Sequence, residues 1–213
     1  MPTEKLEDIS IELIDVAERD AVLNVLRESF FKYEPLCQCL DIKNWQELEE
    51  FSVNNLWEKC SFKAVNSKGE IIALALNSIV RKGCKQEPPM YTDPDVQKIV
   101  DILSCLEHKV NPFDKYPNEN AYLDVCILTT KPNYRGFGLA AKLIEQTIEY
   151  MRNNQLKIIL VLCTSHYSAR VCEKLYFNNV HRLPYADYKI NGETVFRPAK
   201  PHEAAQGYLK EIQ

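Results

Sequence analysis

Two short stretches of this chain carry residue types with chemistry to offer. In Arg135-Gly136-Phe137-Gly138-Leu139-Ala140, two glycines stand at the head of a helical pattern. The first N–H groups of a helix have no partner inside it, and glycine puts no side chain in the way of an approaching ligand. An anion such as a pyrophosphate suits that place, with Arg135 adding positive charge at its rim. A plain strand-to-helix turn is the other reading, since such passages are common in α/β proteins. The G-x-G-x-x-G dinucleotide spacing is missing, and no P-loop signature occurs. The second stretch is Phe30-Phe31-Lys32-Tyr33-Glu34-Pro35-Leu36. Proline disfavours helical geometry in the residue before it, so Glu34 belongs where the chain breaks out of a helix. Glu34 is then either a solvated charge at a helix end or a carboxylate desolvated by aromatic neighbours, its pKa raised toward use as a base.

The elements that must position these residues are legible as patterns. A strand over Ala121 to Leu128 leads into the glycine turn. Beyond it Leu139, Leu143, Ile144, Ile148 and Met151 recur at helical spacing, so a helix begins at or just after Gly136. Ahead of Glu34, Asp15 can cap a helix bearing Val22, Leu23, Leu26 and Phe30 on one face. A first strand at Ile9 to Leu13 precedes it, and a helix from Asn44 to Cys60 follows. Phe62 to Val65 and Ile71 to Val80 read as a hairpin across Asn66-Ser67-Lys68-Gly69. Asp93-Pro94 starts another helix, cap then first-turn proline. Ile158 to Leu162 is an apolar run suited to a strand covered on both faces. It leads through Thr164 and Ser165, a fitting N-cap, into a helix over Ser168 to Leu175. Tyr185 to Ile190 and Glu193 to Phe196 read as a last hairpin around Asn191-Gly192.

Composition bounds the class. The 213 residues are 46% hydrophobic and 26% charged, enough for one sizeable core, and we expect a single domain over residues 1–213. No apolar run approaches the roughly 20 residues needed to cross a bilayer, and Met-Pro-Thr-Glu-Lys is not an apolar signal region. A soluble cytoplasmic protein without membrane contact is expected. A net charge of −4 argues against nucleic acid, which calls for a concentrated basic face. The densest basic cluster, Arg81-Lys82-Gly83-Cys84-Lys85, reads as a solvated turn. The eight cysteines are scattered, several in apolar elements, which fits reduced and mostly buried thiols. Cys37-Gln38-Cys39 has no nearby histidine or second pair, so no metal site is expected.

Arg135-Gly136-Phe137-Gly138-Leu139-Ala140 resembles the [QR]-x-x-G-x-[GA] signature of the GNAT superfamily of acetyl-CoA-dependent N-acetyltransferases. Glu34-Pro35-Leu36, Thr164-Ser165-His166-Tyr167-Ser168-Ala169-Arg170 and Pro201-His202 resemble elements of its insect arylalkylamine branch. That resemblance covers nearly the whole chain in element order. It implies an α/β GNAT fold: a mixed central sheet of about seven strands flanked by helices, with a bulged strand followed by a pyrophosphate-binding loop and helix. It implies acetyl-CoA as co-substrate, held by Arg135, Gly136, Phe137, Gly138, Leu139 and Ala140, by the strand edge at Ile127, Leu128 and Thr129, and by Ser168. It also implies direct attack by a primary amine in a ternary complex, with Glu34 as general base and Ser168 or water protonating the leaving thiolate. Tyr33, Pro35, Thr164 and His202 would border the amine. The acceptor implied is an arylalkylamine such as dopamine, serotonin, tyramine or octopamine. An aliphatic polyamine such as agmatine is the alternative, for which Glu87, Asp93 or Asp95 would serve, and a non-catalytic coenzyme A binding module is another. Either a monomer or a weak homodimer suits the family. Where many of its members carry a tyrosine as general acid, this chain has Cys172. A cysteine nucleophile at Cys163 or Cys172 is the rival mechanism, although both positions fit buried packing.

Overall fold

The computed structural model describes residues 8–84 and 90–213; residues 1–7 and 85–89, which include the opening segment, Lys85 and Glu87 of the sequence reading, lie outside. In chain order the elements are β1 (Ser10–Leu13), α1 (Arg19–Val25), α2 (Trp45–Val53), β2 (Phe62–Val65), β3 (Ile71–Arg81), α3 (Pro94–Val110) and α4 (Pro112–Lys115). They continue with β4 (Ala121–Thr130), α5 (Leu139–Asn153), β5 (Ile158–Cys163), α6 (His166–Lys174) and β6 (Asn178–Pro184), then β7 (Lys189–Ile190), β8 (Glu193–Thr194) and β9 (Ala204–Glu211). The main sheet has seven strands in the order β1-β2-β3-β4-β5-β9-β6. Only β4 and β5 run parallel, while every other neighbouring pair is antiparallel. This is the mixed α/β sheet that the resemblance implied.

Several local differences have physical causes. Asp15 does cap, but it caps a 3-10 turn whose Glu18 bonds back to it, and α1 proper starts at Arg19. Past α1, Leu26–Phe30 widens into a π-helical turn, with Phe31 N–H reaching Leu26 O at 2.9 Å. The helix expected over Asn44 to Cys60 stops at Val53, a 3-10 turn covers Leu56–Glu58, and Lys59 is left-handed at φ 52°. The last hairpin exists, but β7 and β8 are two residues each and stay outside the main sheet. Its place there is taken by β9 and β6, which the sequence reading did not recognise.

Each face of the sheet has its own cover. On one side α1, α2 and α3 pack with Leu74, Leu76 and Ile127. On the other, α5 and α6 pack over Leu123, Val125, Ile159 and Val161. The α5 stripe of Leu139, Leu143, Ile144, Ile148 and Met151 is buried, at roughly 1.5–3 kcal/mol per large side chain. That burial fixes the N-terminus of α5 against the end of β4. The strands themselves then open a gap. β4 and β5 pair only from Leu123–Ile159 to Val125–Val161, although both run on. At that point β4 also slips against β3, Leu76 opposing Ile127 and Asn77 opposing Val125, which leaves Cys126 as a bulge.

Candidate active site

The glycine turn begins where β4 ends. Pro132–Tyr134 forms a 3-10 turn, then Gly136 and Gly138 take positive φ, 86° and 76°, in the left-handed region that side chains other than glycine's avoid. These two residues hold the helix back, so α5 starts at Leu139 rather than next to Gly136. A Cβ on either glycine would meet nothing within 4 Å, so the space before the helix terminus is open. No side chain caps α5, which leaves its first N–H groups facing that space. The residues present therefore fit a diphosphate. Arg135 lies at the rim, its guanidinium 4.4 Å from the centroid of the Tyr33 ring. That contact joins the glycine turn to the Glu34 segment.

Upstream, the edge of β4 beyond Val125 has no strand partner on the β5 side. Lys131 N–H is spent on Ile72 O of β3. Alternation along an antiparallel strand then turns Ile127 and Thr129 toward β3 and leaves the peptide groups of Leu128 and Thr130 facing the gap. The Ile127 and Thr129 side chains are both buried, and the Thr129 hydroxyl bonds Ser29 at 3.1 Å. Thr130 was not among the residues read from the sequence; its signal was the strand period continued two residues further.

Glu34 is placed by the π-helical turn. Ser29 is buried and donates to Val25 O at 2.6 Å, and the widened turn hands the chain to Tyr33 and Glu34, whose N–H groups both bond Phe30 O. One carboxylate oxygen, Oε2, accepts from Cys37 N–H at 2.7 Å, a capping contact on the turn Cys37–Cys39. Oε1 is fully buried and makes no hydrogen bond of ordinary geometry among the described residues. At 7% exposure Glu34 is not a solvated charge. Burial raises its pKa, outweighing the Cys37 N–H and the neighbouring Thr164 hydroxyl, which lower it. Tyr33 stays exposed while Pro35 is buried. Tyr185 is buried beside this acid: its hydroxyl donates to Thr164 O, and the Glu34 charge helps burial push the phenol up. Sequence reasoning missed both Cys37 and Tyr185. The capping spacing from Glu34 to Cys37 was a usable signal, whereas Tyr185 arrives from a distant loop.

Thr164 thus joins Glu34, while Ser168 is bonded to the start of α6. Ser165 is the N-cap of α6, its Oγ accepting from Ser168 N–H at 3.0 Å, and Ser168 Oγ donates back to Ser165 O at 3.0 Å. The helix begins at His166, two residues earlier than expected, because the cap draws Ser168 into its first turn. His202 Nδ1 accepts from His166 N–H at 3.1 Å, and its ring meets Tyr167 edge-on at 5.5 Å between centroids. Burial and the nearby His166 lower its pKa, so it ties the segment before β9 to α6 as a neutral ring. Cys163 and Cys172 are fully buried, their sulfurs 3.6 Å apart, and burial with this contact pushes the Cys172 thiol up, the opposite of nucleophile activation.

Of the carboxylates considered for a polyamine, Glu87 lies outside the described residues. Asp93 caps α3 and accepts from Lys43, Asn44 and Asp95 N–H, which hold its pKa low. Asp95 bonds Lys98 at 2.6 Å and accepts from Asp41 N–H. Both carboxylates thus hold together the start of α3 and the segment before α2. Among the described residues no helix is long and apolar enough to cross a membrane.

Comparison with known proteins agrees with this geometry. The model of the acetyltransferase (GNAT) family matches residues 20–177. The crystal structure of arylalkylamine N-acetyltransferase 2 from Aedes aegypti superposes with a TM-score of 0.89 at 29% identity, covering 97% of this chain and 100% of that one. A Drosophila melanogaster polyamine N-acetyltransferase that forms N-acetylagmatine gives 0.84 at 24%, over 96% of this chain and 100% of that one. Mosquito arylalkylamine N-acetyltransferase-like 5b gives 0.85 at 21%, over 96% and 100%. The last two likenesses speak for the fold alone.

Proposed function

The chain belongs to the GNAT family of acetyltransferases, and from that premise we propose that it acetylates the primary amine of an arylalkylamine by direct attack, with Glu34 as general base. It is an acetyl-CoA-dependent amine N-acetyltransferase. The observation that carries the finer reading is Glu34 itself: a buried carboxylate with one oxygen tied down and the other free, its pKa raised.

An amine with a pKa near ~10 is almost wholly protonated at neutral pH, so its proton must leave before the nitrogen can attack. Glu34 Oε1 takes it, a contribution of roughly 10²–10⁴-fold. Cys37 N–H holds the other oxygen, so the carboxylate meets the amine in one orientation. Bound acetyl-CoA supplies an acetyl group activated as a thioester. The peptide N–H of Leu128, facing the gap between β4 and β5, is placed to polarise its carbonyl. The open amides after Gly136 hold the diphosphate, with Arg135 at the rim. Ser168 is engaged in its cap, so water is the better candidate to protonate the leaving thiolate.

The likeness to the Aedes aegypti arylalkylamine enzyme supports an aromatic acceptor, as do Phe30, Phe31 and Tyr33 around Glu34. The test is thiol release from acetyl-CoA with a panel of phenethylamine, tyramine, dopamine, serotonin, agmatine and putrescine. Turnover with the aromatic amines at higher kcat/KM than with the polyamines is the expected result. The reverse order hands the reading to a polyamine acetyltransferase. Nucleotide binding with no turnover on any amine leaves a non-catalytic coenzyme A binding module.

A further inference from the structure

A second acid lies on β4 beside the point where β4 and β5 part, and has no role in that reaction. Asp124 lies on β4 two residues before the bulge. Its Oδ1 is fully buried and finds no hydrogen-bond partner among the described residues. Near its other oxygen the Cys126 thiol is the donor, at a long 3.6 Å. Burial first, and the Glu107 charge second, push the Asp124 carboxyl up to about 7. Glu107 cannot relieve it, because that carboxylate is occupied by the Tyr122 hydroxyl at 2.6 Å. Asp124 as a whole is half-buried, so the cost falls on Oδ1: a buried acceptor left without a donor is costly unless something else supplies one.

The surroundings indicate where that donor comes from. On this face of the sheet Tyr122 is covered from the side of α3 and α4, by Val110 and Phe113. Thr129 is covered by the π-helical turn after α1, through Ser29. Cys126, between the two covers, keeps an exposed surface even though surrounding protein desolvates its thiol and raises its pKa. Open surface on a crowded side chain marks a recess. Its floor is the bulge at which β4 and β5 part, so it adjoins the strand edge assigned to the thioester. Glu34 has Cys37 and Thr164 for neighbours, Asp124 has Glu107 and Cys126, and the two acids share none. Two acids with separate surroundings can meet separate ends of one acceptor.

We propose that Asp124 binds a hydrogen-bond donor at the far end of the acceptor amine, in the recess floored by Cys126, and so selects acceptors that carry one. A ring hydroxyl of an arylalkylamine and the distal cation of a diamine or guanidine both present that donor. This deepens the proposed function and rests on its placement of the amine at Glu34.

The experiment is steady-state kinetics of the full chain with matched acceptors: tyramine against phenethylamine, and agmatine against butylamine. Asp124→Leu removes the acceptor oxygens while keeping the same branched heavy-atom skeleton, and Asp124→Asn keeps one at nearly constant volume. For whichever pair the wild-type enzyme uses, Asp124→Leu raises KM for the donor-bearing member about tenfold or more, since hydrogen bonds to charged groups are worth that much. The donor-free member stays within about twofold and kcat changes little, while Asp124→Asn falls between wild type and Asp124→Leu. A loss in the tyramine arm alone assigns the hydroxyl, and a loss in the agmatine arm alone assigns the cation. Equal losses for both members of a pair, or none, overturn the inference. A wild-type enzyme inert toward every amine sinks the proposed function instead, so the two failures are distinguishable.

Discussion

Glu34 combines two conflicting demands in one side chain. Its burial raises its pKa above the ordinary glutamate value, so the folded chain holds its proton more tightly than the unfolded one. The stabilisation this gives is complete below the unfolded pKa of about 4.3 and is lost as pH rises through the folded value. Above the folded value, therefore, the wild type carries a buried anion that Glu34→Gln does not. Thermal melts should show Glu34→Gln gaining on the wild type as pH rises and the difference shrinking toward about pH 4.5. A variant less stable than wild type at the higher pH would mean the carboxylate is a net structural asset. The same shift sets the kinetic profile, because only the anion accepts a proton. The acid limb of kcat should lie above about 4.3, the usual glutamate range, and be missing from the residual rate of Glu34→Gln. The aromatic run and Pro35 announced an acid at a helix exit, but its capping of Cys37 and its free Oε1 depend on the π-helical turn. That turn is secured by Ser29 and by Thr129, far away in sequence.

At the scale of elements, the passage from β4 to α5 was the most legible part of the chain. Periodicity named the α5 stripe correctly, and the glycines marked its start to within three residues, Gly136 against Leu139. Composition alone could not show that both glycines sit at positive φ and so delay the helix. Gly138→Ala should cost about 1 kcal/mol in stability, as alanine does at such φ, and weaken acetyl-CoA at least about tenfold by calorimetry. Gly69, with φ 78° and equally open space, is the control. Gly69→Ala should lose similar stability and leave the nucleotide affinity unchanged. Equal affinities for both variants would dissociate the turn from nucleotide binding. The α6 terminus shows the opposite case. Ser165 was recognisable as a cap, but its reciprocal bonds with Ser168, the residue to which the resemblance gave a proton-donor role, were not.

Over the whole molecule, the seven-strand count matched for a partly wrong reason. β9 was overlooked because its first half, Ala204 to Gly207, is small and polar rather than apolar, and its bulk, Tyr208 and Leu209, comes as a single adjacent pair with no strand alternation. The packing explains that smallness: a Cβ at Gly207 would lie 2.2 Å from Val110 Cγ2, so α3 rests directly on the strand backbone. Gly207→Ala should destabilise by about 1–3 kcal/mol, and Val110→Ala on top of it should return part of the loss, in a denaturant-melt cycle. Additive losses in the double variant would argue against this contact. β9 lies between β5 and β6 and joins them, and His202 just before it holds α6, so the surroundings of the gap between β4 and β5 are built by residues distant in sequence. Such long-range placement is what single-sequence patterns miss. The central claim is that this architecture aims one free carboxylate oxygen at an amine beside a thioester. Its most direct test is kcat of Glu34→Gln against wild type at saturating acetyl-CoA, on the best arylalkylamine of the panel. The account predicts a fall of about 10²-fold or more with an unchanged Kd for acetyl-CoA. Near-normal turnover in the variant would contradict it.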